Sequence, residues 1–208
     1  MIKHKILENF LDVDEFTKLI SINYGDVPID GIKVFNNIVD REGNTKSSII
    51  EEKLLKKLHN NCHQKAVEIL KELHPEKLKL YEYSEFHLII TGKNYKFPIH
   101  NDTLNKLLSG VIYLHPEKNK GTIFYKSKKG EISFEVDWKQ NRAVFFSRSK
   151  NSFHSYESDK NSNRVCLVYN LMTKNFKEVC KIEGLNYYYE SFKHFINPYL
   201  LRYFGFII

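Results

Sequence analysis

What most constrains this chain is a series of short apolar or alternating runs, each closed by turn residues, across residues 81–173. The runs fall at 86–91, 109–114, 122–125, 132–136, 143–146 and 165–171. Turn material separates them: Gly92-Lys93-Asn94, residues 116–121, Lys128-Lys129-Gly130, residues 139–141 and residues 159–163. Segments this short do not make helices that bury a face, and many of them at such spacing predict a β-sandwich or barrel.

The flanks read differently. Residues 1–80 are expected to be mainly helical support. Asp12 or Asp14 is suited to cap a helix through Phe16, Leu19 and Ile20. Gly25 and Pro28 then interrupt, and residues 31–44 read as strand and turn. A long helix over residues 48–73 carries Ile50, Leu54, Leu55, Leu58, Val67, Ile69 and Leu70 near helical spacing, until His74-Pro75 stops it. Residues 174–208 read as a helical tail that Pro198 breaks, with residues 199–208 a packed terminal segment. No repeat, low-complexity tract or linker divides the chain. Its 208 residues are therefore expected to form a single domain with a proper core.

Charge excludes little. The net +7 is scattered, and its densest patch, Lys118, Lys120, Lys126, Lys128 and Lys129, reads as a solvated loop rather than a nucleic-acid surface. Cys62, Cys166 and Cys180 are odd in number and lack a close pair, which argues against a disulfide framework. Residues 1–13 lack a continuous hydrophobic signal core, and no apolar run approaches a bilayer span. A cytoplasmic protein without membrane partners is expected.

The strand-rich zone contains Pro98-Ile99-His100-Asn101-Asp102. Residues two apart in an extended segment project to one side, so His100 and Asp102 can offer a nitrogen and a carboxylate oxygen to one ion. His154, after the run at 143–146, supplies a second imidazole if the sheet folds back on itself. Two histidines and a carboxylate on one face of a metal leave positions open, which suits Fe(II) that also binds a co-substrate and O2. Arg164 opens the apolar run Val165-Cys166-Leu167-Val168-Tyr169. A buried arginine needs a partner, either a neighbouring carboxylate or a dicarboxylic acid gripped by its fork. His59 and His63, with Cys62 between them, stand four apart on the long helix. Asn60 replaces the glutamate a zincin needs, so these read as a polar face. Walker, GxGxxG and GxSxG motifs are absent from the sequence.

The order of HxD, His and an Arg ten residues later resembles the 2-oxoglutarate/Fe(II) dioxygenase superfamily, particularly its prolyl 4-hydroxylase-like branch. Ser109-Gly110-Val111-Ile112-Tyr113-Leu114 is similar to the strand after HxD. Lys120-Gly121-Thr122 resembles a Gly-Gly-x-Thr turn with one glycine missing. Asn141-Arg142-Ala143-Val144-Phe145-Phe146 is similar to the strand before the distal histidine, with Asn for Gly. The resemblance spans residues 81–173.

It implies a mainly β protein with flanking helices, built on a double-stranded β-helix (a jelly-roll, cupin-like core) of eight strands in two sheets. It further implies Fe(II), 2-oxoglutarate and O2 as cofactor and co-substrates, with succinate and CO2 released as a substrate is hydroxylated. His100, Asp102 and His154 would be the metal ligands, Arg164 would hold the C5 carboxylate, and Tyr113 would donate a hydrogen bond to that carboxylate. The presence of Asp102 favours hydroxylation over halogenation. The substrate is expected to be peptidyl-prolyl or a small molecule, met by an aromatic wall of Tyr95, Phe97 and Tyr125, with Arg148 gripping a substrate carboxylate. Two alternatives stand beside this reading. One is a non-catalytic, cupin-like binding module. The other is a nucleic-acid demethylase of the same superfamily, disfavoured because Asn170 stands where those enzymes carry a second arginine.

Overall fold

In strand β4 (Tyr83–Thr91), Ser84, Phe86, Leu88 and Ile90 are buried, while Glu85, His87 and Ile89 between them are only partly covered. The period of two thus assigns the two faces of a sheet to different layers. The buried face packs on helix α2 (Glu52–Leu73), whose Leu54, Leu55, Leu58, Ala66, Ile69, Leu70 and Leu73 share one core with Phe86, Leu88 and Ile90. Each such leucine contributes roughly 1.5–3 kcal/mol by leaving water. The other face looks into the interior of a β-sandwich.

The computed structural model describes residues 2–206. Its further elements are β1 (His4–Leu7), α1 (Val13–Ile20), β2 (Ile32–Asp40), β3 (Thr45–Lys46), β5 (Lys96–His100) and β6 (Lys106–His115). β7 (Thr122–Tyr125), β8 (Ile132–Val136), β9 (Ala143–Ser147), β10 (His154–Glu157) and β11 (Arg164–Met172) follow, then α3 (Phe176–Glu183) and α4 (Tyr187–Phe204). A single 3-10 segment, Pro75–Leu80, links α2 to β4.

One antiparallel sheet has the order β1-β9-β6-β11-β4-β2-β3, and the other β5-β10-β7-β8. Strands β4 to β11 form the eight-stranded double-stranded β-helix, four strands in each sheet, as expected. The space between the sheets is filled by Tyr113, Phe124, Val136, Val144, Phe146 and Cys166, with Ile2.

The flanks depart from expectation at β1 and in the tail. β2 lies within the stretch expected as strand and turn, whereas no strand is expected at β1; β1 pairs with β9 and β2 with β4, so the N-terminal segment widens the main sheet at both edges. Of the two expected caps it is Asp12 that caps α1, in a capping box with Glu15. Pro198 lies inside α4 and does not break it, and α4 buries none of its residues. Tyr199, Tyr203 and Phe204 are exposed, so this part of the tail is not packed; Ile207 and Ile208 lie outside the described residues. Among the described residues no helix is long and apolar enough to cross a membrane.

Candidate metal and co-substrate site

Strand β5 is the edge of the smaller sheet, a position that tolerates Pro98 because an edge strand can spare a backbone donor. Its last residue, His100, lies directly opposite His154, the first residue of β10. The two rings sit 4.2 Å apart between centroids. Asp102 follows two residues later, and ligand atoms of His100, Asp102 and His154 all lie within 4.8 Å of one another. Among the described residues this is the one group of three or more His, Cys, Asp or Glu that could hold a metal ion. His59 and His63 instead stack on each other at 4.8 Å, and Cys62 is buried.

The hydrogen bonds prepare these side chains for a cation. Nδ1 of His100 lies 3.0 Å from the Pro98 carbonyl, and Nδ1 of His154 lies 3.0 Å from the Ser152 carbonyl. A carbonyl can only accept, so each Nδ1 carries the hydrogen and each Nε2 keeps its lone pair. Burial holds both imidazoles neutral, bringing His100 down to about 3 and lowering His154. Burial alone would raise Asp102. The charge of Lys106, then the two imidazoles, override it and hold the carboxyl well below the usual carboxylate range. Lys106 Nζ donates to Asp102 Oδ1 at 2.7 Å, and Ser109 Oγ donates to Oδ2 at 2.6 Å.

A cavity of about 350 Å³ opens between the sheets, lined by all three residues of this group together with Phe97, Tyr156 and Arg164. Arg164 is 2% exposed. Its Nε donates to the Lys120 carbonyl at 3.3 Å, while Nη2 is buried without a hydrogen-bond partner among the described residues. Its guanidinium lies over Tyr156 at 4.8 Å, Trp138 at 5.3 Å and Tyr113 at 5.6 Å. Among the described residues no carboxylate forms a salt bridge with it. A buried cation with an unpaired donor in an aromatic cage is suited to bind an anion. Two imidazoles and a carboxylate beside such a cation fit Fe(II) chelated by a dicarboxylic keto acid.

The remaining expected residues divide. Phe97 lines the cavity, stacks on Tyr156 at 5.1 Å and meets His100 edge-on at 4.6 Å. Tyr95 stands behind it, 6.3 Å from Tyr156. Tyr125 is not part of this wall: its hydroxyl bonds Ser155 at 2.8 Å, on the face of β7 opposite to Phe124, which packs inside. The Tyr113 hydroxyl donates to Thr122 Oγ1 at 2.9 Å and accepts from the Thr122 amide at 2.9 Å, so the cage orders it behind Thr122 rather than turning it to the cavity. Arg148 is committed to protein: it ion-pairs with Glu183, lies 3.5 Å from Glu190, and donates to the Asp102 carbonyl at 3.2 Å. The charge expected to meet a substrate carboxylate is therefore already paired.

A larger cavity of about 540 Å³ lies under α4 and touches His100 and Asp102, but neither His154 nor Arg164 lines it. Sequence reasoning missed Tyr156, Thr122, Ser109 and Lys106. Tyr156 is two residues beyond His154 on the same strand, so alternation alone placed it on the same side. No comparable signal marked Lys106.

No family model matches the sequence, and no curated protein matches it significantly. Solved structures do match. A prolyl hydroxylase from Trichoplax adhaerens, in complex with a hypoxia inducible factor peptide fragment, superposes with a TM-score of 0.56 at 13% identity, over 85% of this chain and 86% of that one. A 2OG-Fe(II) oxygenase family oxidoreductase from Burkholderia pseudomallei gives 0.54 at 13% identity, over 81% and 84%. A Pseudomonas putida prolyl-4-hydroxylase gives 0.52 at 13% identity, over 84% and 94%. The chain thus has the jelly-roll fold of the 2-oxoglutarate/Fe(II) oxygenases, prolyl hydroxylases among its structural neighbours.

Proposed function

We propose that this protein is a 2-oxoglutarate- and Fe(II)-dependent oxygenase that hydroxylates a peptidyl-prolyl or small-molecule substrate and releases succinate and CO2. The observation that carries the reading is the Nη2 of buried Arg164, without a hydrogen-bond partner among the described residues, in the same cavity as His100, Asp102 and His154. When bound, the iron with 2-oxoglutarate and O2 supplies the oxidising chemistry. This chain's residues supply the rest. His100 and His154 keep Nε2 unprotonated, Asp102 brings a full negative charge, and Arg164 offers a fixed fork to the far carboxylate. Tyr156, Trp138 and Tyr113 keep water from that fork, which strengthens the ion pair. Phe97 walls the cavity beside His100.

An extended peptide suits the cavity mouth. Ile32 and Val34 of β2 line it and are partly exposed. β3 pairs only with Ile38 and Val39, so among the described residues the β2 edge from 32 to 37 carries no further strand. Such an edge can accept a peptide by strand addition. The Trichoplax enzyme of the same fold was captured with a peptide.

Anaerobic titration of the protein with Fe(II) and 2-oxoglutarate tests the reading. A weak visible charge-transfer band is expected, absent from His154→Ala. A folded protein that binds neither component would leave a cupin-like binding module.

A further inference from the structure

We propose that Lys106 is a displaceable counter-ion of the metal site, leaving Asp102 when a divalent cation loads and then holding a carboxylate in the adjoining cavity. The inference rests on the metal reading of His100, Asp102 and His154 given above.

Both oxygens of the Asp102 carboxylate carry a donor: Lys106 Nζ on Oδ1 at 2.7 Å and Ser109 Oγ on Oδ2 at 2.6 Å. The carboxylate itself is 3% exposed and cannot turn to water for another partner. A cation held jointly with the two imidazoles must take a lone pair of one of these oxygens; each oxygen has two, so it is repulsion between the cation and a charged donor, rather than want of a lone pair, that makes a donor yield. Ser109 sits in the middle of β6, is 2% exposed, and has a short neutral side chain that a cation does not repel. Lys106 is the first residue of that strand, and its side chain is 24% exposed. Its ammonium is a compact charge on a flexible four-carbon stem, and it has donors only. Two positive charges compete for Oδ1, and the mobile one moves. Ser109 then keeps Oδ2 and fixes the plane of the carboxylate, as partners behind a metal ligand do.

The displaced ammonium has a defined place to go, because Lys106 already lines the cavity of about 350 Å³. Glu85, which also lines it, is engaged by His87 at 3.0 Å. Lys106 and Arg164 are the two basic side chains other than histidine on that wall. Arg164 holds one carboxylate in the aromatic cage, so Lys106 meets a second, near the metal. That second carboxylate belongs either to the metal-bound end of the keto acid or to an acidic substrate.

Calorimetric titration of the metal-free, full-length protein with Mn(II), which binds as Fe(II) does without oxidising, separates the outcomes. Lys106→Met is expected to bind Mn(II) about tenfold more tightly than wild type, and Lys106→Arg, which keeps the charge, to stay near wild type. Were Lys106 merely an orienting partner of Asp102, Lys106→Met would bind the metal about 10–100-fold more weakly, and that result, or an unchanged affinity, overturns the proposal. No Mn(II) binding by wild type removes the metal reading as well.

A second measurement needs no variant. Acetylation of Lys106 in wild type, read by mass spectrometry, is expected to rise when Mn(II) is added, and no rise overturns the proposal. If 2-oxoglutarate then restores protection, the second carboxylate is the co-substrate's. If it does not, the carboxylate is the substrate's.

Discussion

His100 and His154 are register partners across β5 and β10, so one strand pairing sets the spacing of both imidazoles, with ring centroids 4.2 Å apart. Asp102 is not in that ladder and is held by Lys106 and Ser109 instead. Replacing Asp102 with Ala should therefore abolish tight Fe(II) binding while leaving the strands paired. Metal titration together with circular dichroism checks this, and normal turnover by the variant would show that the three residues do not form the metal site.

Arg164 faces the opposite test of function against stability. Its buried Nη2 has no hydrogen-bond partner among the described residues, so its burial costs stability that the Lys120 carbonyl and the aromatic rings only partly offset. Arg164→Met should weaken 2-oxoglutarate binding by roughly 2–5 kcal/mol, the scale of a lost buried charge pair. The same variant should melt no lower than wild type. An unchanged 2-oxoglutarate requirement with a fallen melting temperature would mark Arg164 as structural.

Gly121 shows how the turn before β7 protects that cage. A Cβ at Gly121 would stand 1.6 Å from the Val136 carbonyl oxygen, so the turn must move to accept one. Thr122, the next residue, holds the Tyr113 hydroxyl under Arg164. Gly121→Ala should lower stability by roughly 1–3 kcal/mol through overpacking and also raise the 2-oxoglutarate concentration needed for half-saturation. Denaturant melts and a co-substrate titration measure the two effects.

Much of this was legible in the sequence because it depends on local rules. The runs at 122–125 and 132–136 coincide with β7 and β8, since turn residues bound them closely. His100 and Asp102 were placed by alternation, and Arg164 by the cost of a charge opening an apolar strand. What was not legible depends on distant contacts. β1 reads as mixed charge and apolar residues, and it becomes a strand only because β9 offers an edge. Tyr125 was assigned to the cavity by its aromatic character and Tyr113 by the family resemblance, but the register of β7 and the Thr122 hydroxyl decide where they point. Arg148 looked free because Glu183 and Glu190, its partners, lie in a tail that matched no motif.

Acid should destabilise the fold through helix α2. Burial first, then the charge of His63, brings His59 down to about 4 from an ordinary 6.5. The unfolded chain therefore takes up this proton before the folded chain does, so stability is full above about pH 6.5 and falls as the pH drops towards 4. Melting temperatures of wild type and His59→Gln, followed from pH 7 to pH 4, should diverge at the high end and converge at the low end or cross. Parallel curves would show that His59 is not buried against protonation.

The buried ions under the site make the sharpest stability prediction. Lys77, 0% exposed in its side chain, donates to Glu183 at 2.6 Å, and Arg148, 4% exposed, pairs with the same carboxylate. Lys77 also donates to the Arg148 carbonyl, and Arg148 to the Asp102 carbonyl. Glu183 thus lies between two cations that have almost no access to water, with Glu190 the second carboxylate near Arg148, and it ties α3 to the loop that carries Asp102. Removing one member of a buried pair leaves an uncompensated charge, which typically destabilises by roughly 3–5 kcal/mol. Glu183→Gln should reach that range because it leaves buried Lys77 without its carboxylate and Arg148 with Glu190 alone, while keeping the shape. Arg148→Met should do less harm, since Lys77 then keeps both Glu183 and the backbone carbonyl of residue 148. If Arg148 were a substrate anchor instead, its replacement would leave the melting temperature unchanged and alter only turnover. Thermal melts of the two variants, read beside their metal affinities, decide between these roles.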